Sequence, residues 1–167
     1  MGPRVIIRPP TPRDAPAFLA AVAASRPLHH PWVTPPDTPA TFATYLERMT
    51  APQHAAFLIC RRDTDELAGV VNVTQITLGP LCSAYLGYYA FADHAHQGFM
   101  SAGLRAVTRH AFGHLGLHRL EANIQPNNAA SIALARSCGF VREGYSPRYL
   151  KIGGRWRDHE RWAIRAS

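Results

Sequence analysis

The residues His94 to Leu104, HAHQGFMSAGL, place a glycine at the start of a helix, an arrangement suited to gripping phosphate. Gly98 lets the main chain approach a ligand closely. The first free N–H groups of the helix, near Phe99 to Ser101, point outward at the positive end of the helix dipole. Such a turn can hold a diphosphate, although the same glycine also serves an ordinary strand-to-helix turn. Gly98 and Gly103 have the GxxxxG spacing of a P-loop, but Leu104-Arg105 stands where Lys-Ser/Thr is required. GxGxxG is absent here, which argues against a Rossmann dinucleotide site. Cys60, Cys82 and Cys138 cannot pair completely and lack CxxC spacing, so neither a disulfide scaffold nor a metal site is expected. A reducing cytoplasm is the expected location.

These groups need a scaffold, and the composition supplies one. The chain has 167 residues, 47% of them hydrophobic and 17% charged, which fits one folded domain over residues 1–167. No apolar run reaches the roughly 18 residues of a membrane helix. Met1 to Pro10 carries Arg4 and Arg8 inside its apolar stretch, so no secretory signal is expected. Eighteen Lys+Arg against 11 Asp+Glu leave a net charge of +7. That balance invites a nucleic-acid reading, but the excess is scattered: Lys151 is the single lysine, and the arginines form no run longer than Arg61-Arg62.

The hydrophobic period places the motif between elements. Arg4 to Arg8 reads as a strand, and Thr11-Pro12-Arg13-Asp14 as the start of a helix running to about Ala24. Pro27 to Pro39 reads as a Pro-rich loop, followed by a helix over Thr38 to Met49. Strands are predicted over Ala55 to Arg62, Leu67 to Leu78 and Ser83 to Phe91, the last two as antiparallel neighbours. Met100, Leu104, Val107, Ala111 and Leu115 mark one face of a helix. His118 to Ile124 reads as a strand, and Ala129 to Cys138 as a helix stopped by Gly139. Glu143 to Ile152 and Arg155 to Ile164 form a hairpin joined at Gly153-Gly154. The order β-α-α-β-β-β-α-β-α-β-β predicts an α/β domain with a mixed sheet.

Three stretches in this order, SAYLGYYAFADHAHQGFMSAGLRAV, LHRLEANIQPNNAASIALARSCGF and EGYSPRYLKIGGRWRDH, resemble the RimJ/RimL-type protein N-terminal acetyltransferases of the GNAT superfamily. The resemblance runs from about Val5 to Ile164. It implies the GNAT fold, a mostly antiparallel sheet of about seven strands flanked by about four helices. It also implies acetyl-CoA as donor, a primary amine as acceptor and no metal. Gly98, Phe99, Met100 and Ser101 fall on the family's pyrophosphate loop. Ala95 replaces the usual leading Arg or Gln, which removes one contact and leaves the backbone donors.

The same resemblance assigns Tyr89, Ala90 and Phe91 to the strand that splays from its neighbour and offers main-chain groups to the donor. Their N–H groups would form an oxyanion hole, a role worth about 3 kcal/mol per donor. Tyr85, Tyr88 and Tyr89 read equally well as sheet-packing aromatics. Asn128 and Ser131 match an Asn-x-x-Ser pattern, with Asn128 either a helix cap or a ligand contact and Ser131 a proton donor to the leaving thiolate. The place where many relatives carry a tyrosine holds Ala135, and Cys138 reads as a core thiol. Glu121 is either the general base or a partner for Arg119. Trp32, with His29 and His30, is assigned to the acceptor cleft. Trp156 and Asp158-His159 read as an aromatic anchor and polar clasp of the final hairpin.

The implied acceptor is a protein N-terminus, ribosomal by resemblance, with a polyamine or aminoglycoside as the alternative. An α-amine near pKa ~7.8 costs about 1 kcal/mol to deprotonate at pH 7, whereas a lysine near ~10.4 costs about 4.6. A basic chain with few acidic residues disfavours a strongly cationic acceptor. A non-catalytic CoA-binding module is the second class, and a homodimer is left open.

Overall fold

A computed structural model describes residues 4–167. The reading of Met1 to Pro10 as free of a secretory signal falls partly on residues 1–3, outside the described residues. The elements are β1 (Val5–Arg8), α1 (Ala15–Ala24), α2 (Arg26–His29), α3 (Pro39–Met49), β2 (Ala55–Arg61), β3 (Leu67–Thr77) and β4 (Ser83–Ala90). They continue with α4 (Phe99–Gly113), β5 (Arg119–Ile124), α5 (Ala129–Ser137), β6 (Val141–Ile152) and β7 (Arg155–Arg165). The seven strands form one sheet in the order β1-β2-β3-β4-β5-β7-β6, antiparallel throughout except for the parallel pair β4–β5.

Two apolar layers sandwich this sheet. On one face, Leu104, Val107 and Ala111 of α4 and Ala135 of α5 pack on Ile59, Val71, Val73, Leu120 and Ala122. On the other, Phe18 and Val22 of α1 and Phe42, Tyr45 and Met49 of α3 pack on Leu58, Cys60, Val70 and Phe91. Alternate residues of the central strands serve opposite layers, which is why β2 and β3 read as nearly continuous apolar runs. Gly103 lets α4 press onto the sheet, because a Cβ there would sit 2.6 Å from Ile59 Cγ2.

Two expectations change. The Pro27 to Pro39 segment is not loop throughout: Pro27 sits in the first turn of the short helix α2, where its fixed φ suits a helix start. The first helix opens as a 3₁₀ turn over Pro12–Asp14, where the Asp14 carboxylate accepts from Thr11 N at 2.8 Å and from Arg8 at 2.8 and 2.9 Å.

Candidate active site

The site is made where two parallel strands part. β4 and β5 pair only from Ser83↔Arg119 to Leu86↔Ala122. Beyond Leu86, β4 stays bonded to β3 through Gly69↔Ala90, leaving one edge of Gly87 to Ala90 unpaired. Main-chain groups alternate along a strand, so the two edges can be assigned. Phe91 N donates to Ala68 O at 2.8 Å, which turns Phe91, Tyr89 and Gly87 toward β3. Tyr88 and Ala90 therefore turn their main-chain groups into the gap. This corrects two expected donors. The Phe91 N–H is spent in the sheet and its ring is buried in the core; the Tyr89 N–H faces β3. Tyr88 replaces them beside Ala90.

The Ala90 carbonyl is already held. His29 Nε2 lies 2.7 Å from it, and a carbonyl only accepts, so Nε2 carries the proton. His29 is 4% exposed, and its Nδ1 is buried with no partner among the described residues. Burial depresses its pKa, partly opposed by the Ala90 bond, so this ring is kept neutral. His29 lines the cavity that reaches α4 and not the second cleft, and its ring stays neutral. His30 is exposed and lines none of the cavities described here, which corrects its assignment to the cleft.

A cavity of about 280 Å³ runs from this gap to the start of α4. His29, Tyr88, Ala90, Gly98, Met100 and Ser101 line it. Gly98 caps α4 with φ 84°, a left-handed conformation that costs a residue with a Cβ about 1–2 kcal/mol. The first backbone bond of the helix is Ala102 N to Gly98 O, so the N–H groups of Phe99, Met100 and Ser101 have no main-chain acceptor. The Met100 side chain is turned inward against Gly69, where a Cβ would collide with its sulfur. The Phe99 ring is buried too, under Arg61, whose guanidinium carbon lies 5.4 Å from its centroid. The loop therefore presents backbone rather than side chains, as a diphosphate cradle requires.

A second cleft of about 510 Å³ opens on the far side of the gap. The two cavities share Trp32, Val33, Tyr88, Asn128 and Ser131. Asn128 caps α5, its Oδ1 accepting from Ser131 N at 3.3 Å, and it also borders both cavities. Ser131 Oγ donates to Tyr88 Oη at 3.0 Å, and Tyr88 Oη donates to the Ser131 carbonyl at 3.1 Å. Burial pushes the Tyr88 phenol up to about 12, the bond from Ser131 opposing it, so it stays protonated at neutral pH. Ala135, the α5 position where many relatives carry a tyrosine, is buried in the core, whereas Tyr88 comes from the strand β4.

Glu121 lies on the cleft face of β5 but lines neither cavity. Arg119 Nη2 sits 3.3 Å from Glu121 Oε1 and 2.6 Å from Glu143 Oε1. The structure thus places Glu121 in an ion-pair cluster, the second of its two expected readings, and outside the lining of both cavities. Asp158 accepts from Tyr145 Oη at 2.5 Å and Arg148 N at 2.8 Å, clasping the β6–β7 hairpin. Trp156, expected as an anchor, is 60% exposed. His159 instead is buried and lines the second cleft. The sequence reads it only as half of a polar clasp in the hairpin, because the strand pairing alone brings β7 alongside β5. Among the described residues no group of three metal-ligating side chains occurs, and no helix is long and apolar enough to cross a membrane.

The chain is similar to known proteins across this whole arrangement. It is 32% identical over 164 residues to the [Ribosomal protein uS5]-alanine N-acetyltransferase of Escherichia coli (strain K12), covering 93% of this chain and 84% of that one. It superimposes on Mycobacterium smegmatis RimJ, solved in complex with CoA-disulfide, with a TM-score of 0.90 and 29% identity over 97% of this chain and 82% of that one. The spermidine N-acetyltransferase of Vibrio cholerae, solved in complex with CoA and spermine, shares the fold at a TM-score of 0.81 and 20% identity, over 96% of this chain and 95% of that one. Residues 4–141 match the family described as Acetyltransferase (GNAT) domain, and the chain with its parted β4–β5 pair belongs to the GNAT acetyltransferases.

Proposed function

We propose that this protein uses acetyl-CoA to acetylate the α-amine at a protein N-terminus by direct attack of the amine on the thioester. The observation that carries this reading is the meeting of two cavities at Tyr88, Asn128 and Ser131, one running to a diphosphate cradle and the other free of carboxylates. The N–H groups of Phe99, Met100 and Ser101 hold the diphosphate. The unpaired edge of β4 at Tyr88 and Ala90 bonds the pantetheine arm and stabilises the charge that develops on the thioester oxygen. The sulfur then lies toward the Ser131–Tyr88 pair. A CoA thiol resembles a cysteine of pKa ~8.5, so a neutral hydroxyl suffices to protonate the departing thiolate.

Two features of the acceptor cleft support an α-amine over a polyamine. Its lining has no Asp or Glu, whereas a polycation would need several acidic partners. Its polar groups include the amides and phenols of Asn72, Asn123, Gln125, Tyr85 and Tyr149, which suit a peptide backbone. Asn123 Oδ1 is buried without a partner among the described residues, at a cost of about 1–3 kcal/mol that an acceptor N–H would relieve. The uS5 acetyltransferase relative agrees with this direction. The reading includes a cytoplasmic location, where acetyl-CoA and ribosomal proteins meet, and residues 1–167 acting as one domain. All residues named come from one copy of the chain.

Thiol release from acetyl-CoA, measured with N-terminal peptides, ribosomal proteins and polyamines side by side, tests the reading. Turnover with peptide α-amines and little with spermidine is expected. Preference for spermidine would move the acceptor to the polyamine class, and binding without turnover on any amine would leave a CoA-binding module.

A further inference from the structure

Acetyl transfer requires that the amine lose a proton, and the cleft has a single side chain suited to receive it. Of the residues lining the acceptor cleft, His159 is the only one bearing an imidazole, and none bears a carboxylate. It is 3% exposed, so its position is fixed by packing. Strand pairing sets its direction. Glu121↔Ala163 and Asn123↔Arg161 are directly opposed, and residues two apart share a face, so His159 continues the row Glu121, Asn123 toward the opening between β4 and β5.

Its tautomer is fixed as well. His159 Nδ1 lies 2.9 Å from the Arg157 carbonyl, which can only accept, so Nδ1 carries the hydrogen and Nε2 of the neutral ring keeps a lone pair. No protein group among the described residues bonds Nε2.

We infer that His159 Nε2 is the general base that takes the proton from the acceptor amine. The inference rests on the acetyl-transfer reading above. As the amine nitrogen bonds to the carbonyl carbon and the C–S bond breaks, one N–H proton passes to Nε2. The thiolate takes a proton from the Ser131–Tyr88 pair, the pair regains one from water, and the imidazolium returns its own to water. The titratable and charged groups around His159 are Tyr149, its ring 6.3 Å away on β6, the neighbouring Asp158 and Glu160, and Arg157 and Arg161 two residues to either side. Asp158 is engaged by Tyr145 and Arg148, and Glu160 by the Trp162 indole.

The test compares the unsubstituted protein with His159→Gln and His159→Ala on an N-terminal peptide from pH 5.5 to 9. Both variants are expected to lose roughly 100-fold in kcat/KM for the amine and the acidic limb of the profile, with acetyl-CoA affinity by calorimetry held within twofold. Added imidazole should restore part of the His159→Ala rate, which a packing role would not allow. Activity within threefold and a retained acidic limb would overturn the inference. A second measurement needs neither variant nor acceptor: long-range ¹H–¹⁵N correlation on the unsubstituted chain should show the neutral His159 ring protonated at Nδ1. A ring protonated at Nε2 would overturn the proposal even where the variants fail to fold. Absence of turnover by the unsubstituted protein on every amine would count against acetyl transfer itself, leaving the nitrogen spectrum to judge His159.

Discussion

Ser131 and Tyr88, 43 positions apart in sequence, form a closed pair: the serine hydroxyl donates to the phenol at 3.0 Å and the phenol donates to the serine's own carbonyl at 3.1 Å. The phenol is thereby fixed at the junction of the carrier and acceptor cavities, in protonated form. Tyr88→Phe removes the acceptor of the Ser131 hydroxyl and one of the two proton sources. A fall of about tenfold in kcat is expected, with KM for acetyl-CoA changed less than twofold, because a thiol leaving group needs modest assistance. Ser131→Ala should fall by a similar factor. The double variant should lose less than the product of the two, since the hydroxyls act as one unit. Steady-state kinetics of the three variants checks this.

The diphosphate cradle depends on a backbone conformation that few residues accept. Gly98→Ala forces a Cβ into φ 84° at about 1–2 kcal/mol, so calorimetry should show acetyl-CoA binding weakened about tenfold. Gly103→Ala acts through packing instead. Its Cβ would meet Ile59 at 2.6 to 2.8 Å, and urea unfolding should show a loss of about 1–3 kcal/mol.

Acceptor choice should respond to a single charge. Asn123→Asp introduces a carboxylate into a cleft lined without one, where attraction to a second ammonium about 4 Å away is worth about 1 kcal/mol even at the dielectric of water. The kcat/KM ratio of spermidine to an N-terminal peptide is expected to rise about fivefold. An unchanged ratio would mean that charge in this cleft does not select the acceptor.

Glu121→Gln should leave kcat/KM within about threefold, because the Glu121 carboxylate is bound to Arg119 and lines neither cavity. Its stability cost should stay near or below 1 kcal/mol, since Arg119 keeps Glu143. A hundredfold loss in rate would restore Glu121 as the base.

Stability should fall on mild acidification. Burial depresses the pKa of His29, opposed by the Ala90 bond, and burial with the neighbouring His114 depresses that of His110. The unfolded chain binds protons at these positions near pH 6.5, above the folded values, so the stabilisation is complete above that pH and is lost as pH falls below it. Asp14 behaves differently: burial would raise its pKa, but the Arg8 and Thr11 bonds outweigh it and lower the value, so its contribution is complete above the unfolded carboxylate value near pH 4 and is lost only as pH falls from there through the lower folded value. The urea midpoint is therefore expected to drop between pH 7.5 and 5.5, with the drop reduced in His29→Gln.

Most of the strands and the longer helices are legible in the chain because their signals are local. The 3.6-residue apolar period of α4, the Thr38-Pro39 start of α3 and the Gly153-Gly154 turn each need only neighbouring residues to be read. The Gly98 turn, proposed above to hold the diphosphate, belongs to the same class, since a glycine before a helix brings its donors with it. The short helix α2 was hidden because prolines mark loops and helix starts alike.

The sequence by itself determined the order of the strands and longer helices, the GNAT resemblance and the glycine that opens α4. The tertiary structure decided which groups meet where β4 and β5 part. Donor direction along β4 follows from the bond between Phe91 N and Ala68 O, the Tyr88–Ser131 pair from the start of α5 coming within reach of the Tyr88 phenol, and the place of His159 from β7 lying beside β5. Such meetings depend on which edge of a strand is free and which face its neighbour shares, quantities fixed by pairing across the sheet and carried by no local run of residues.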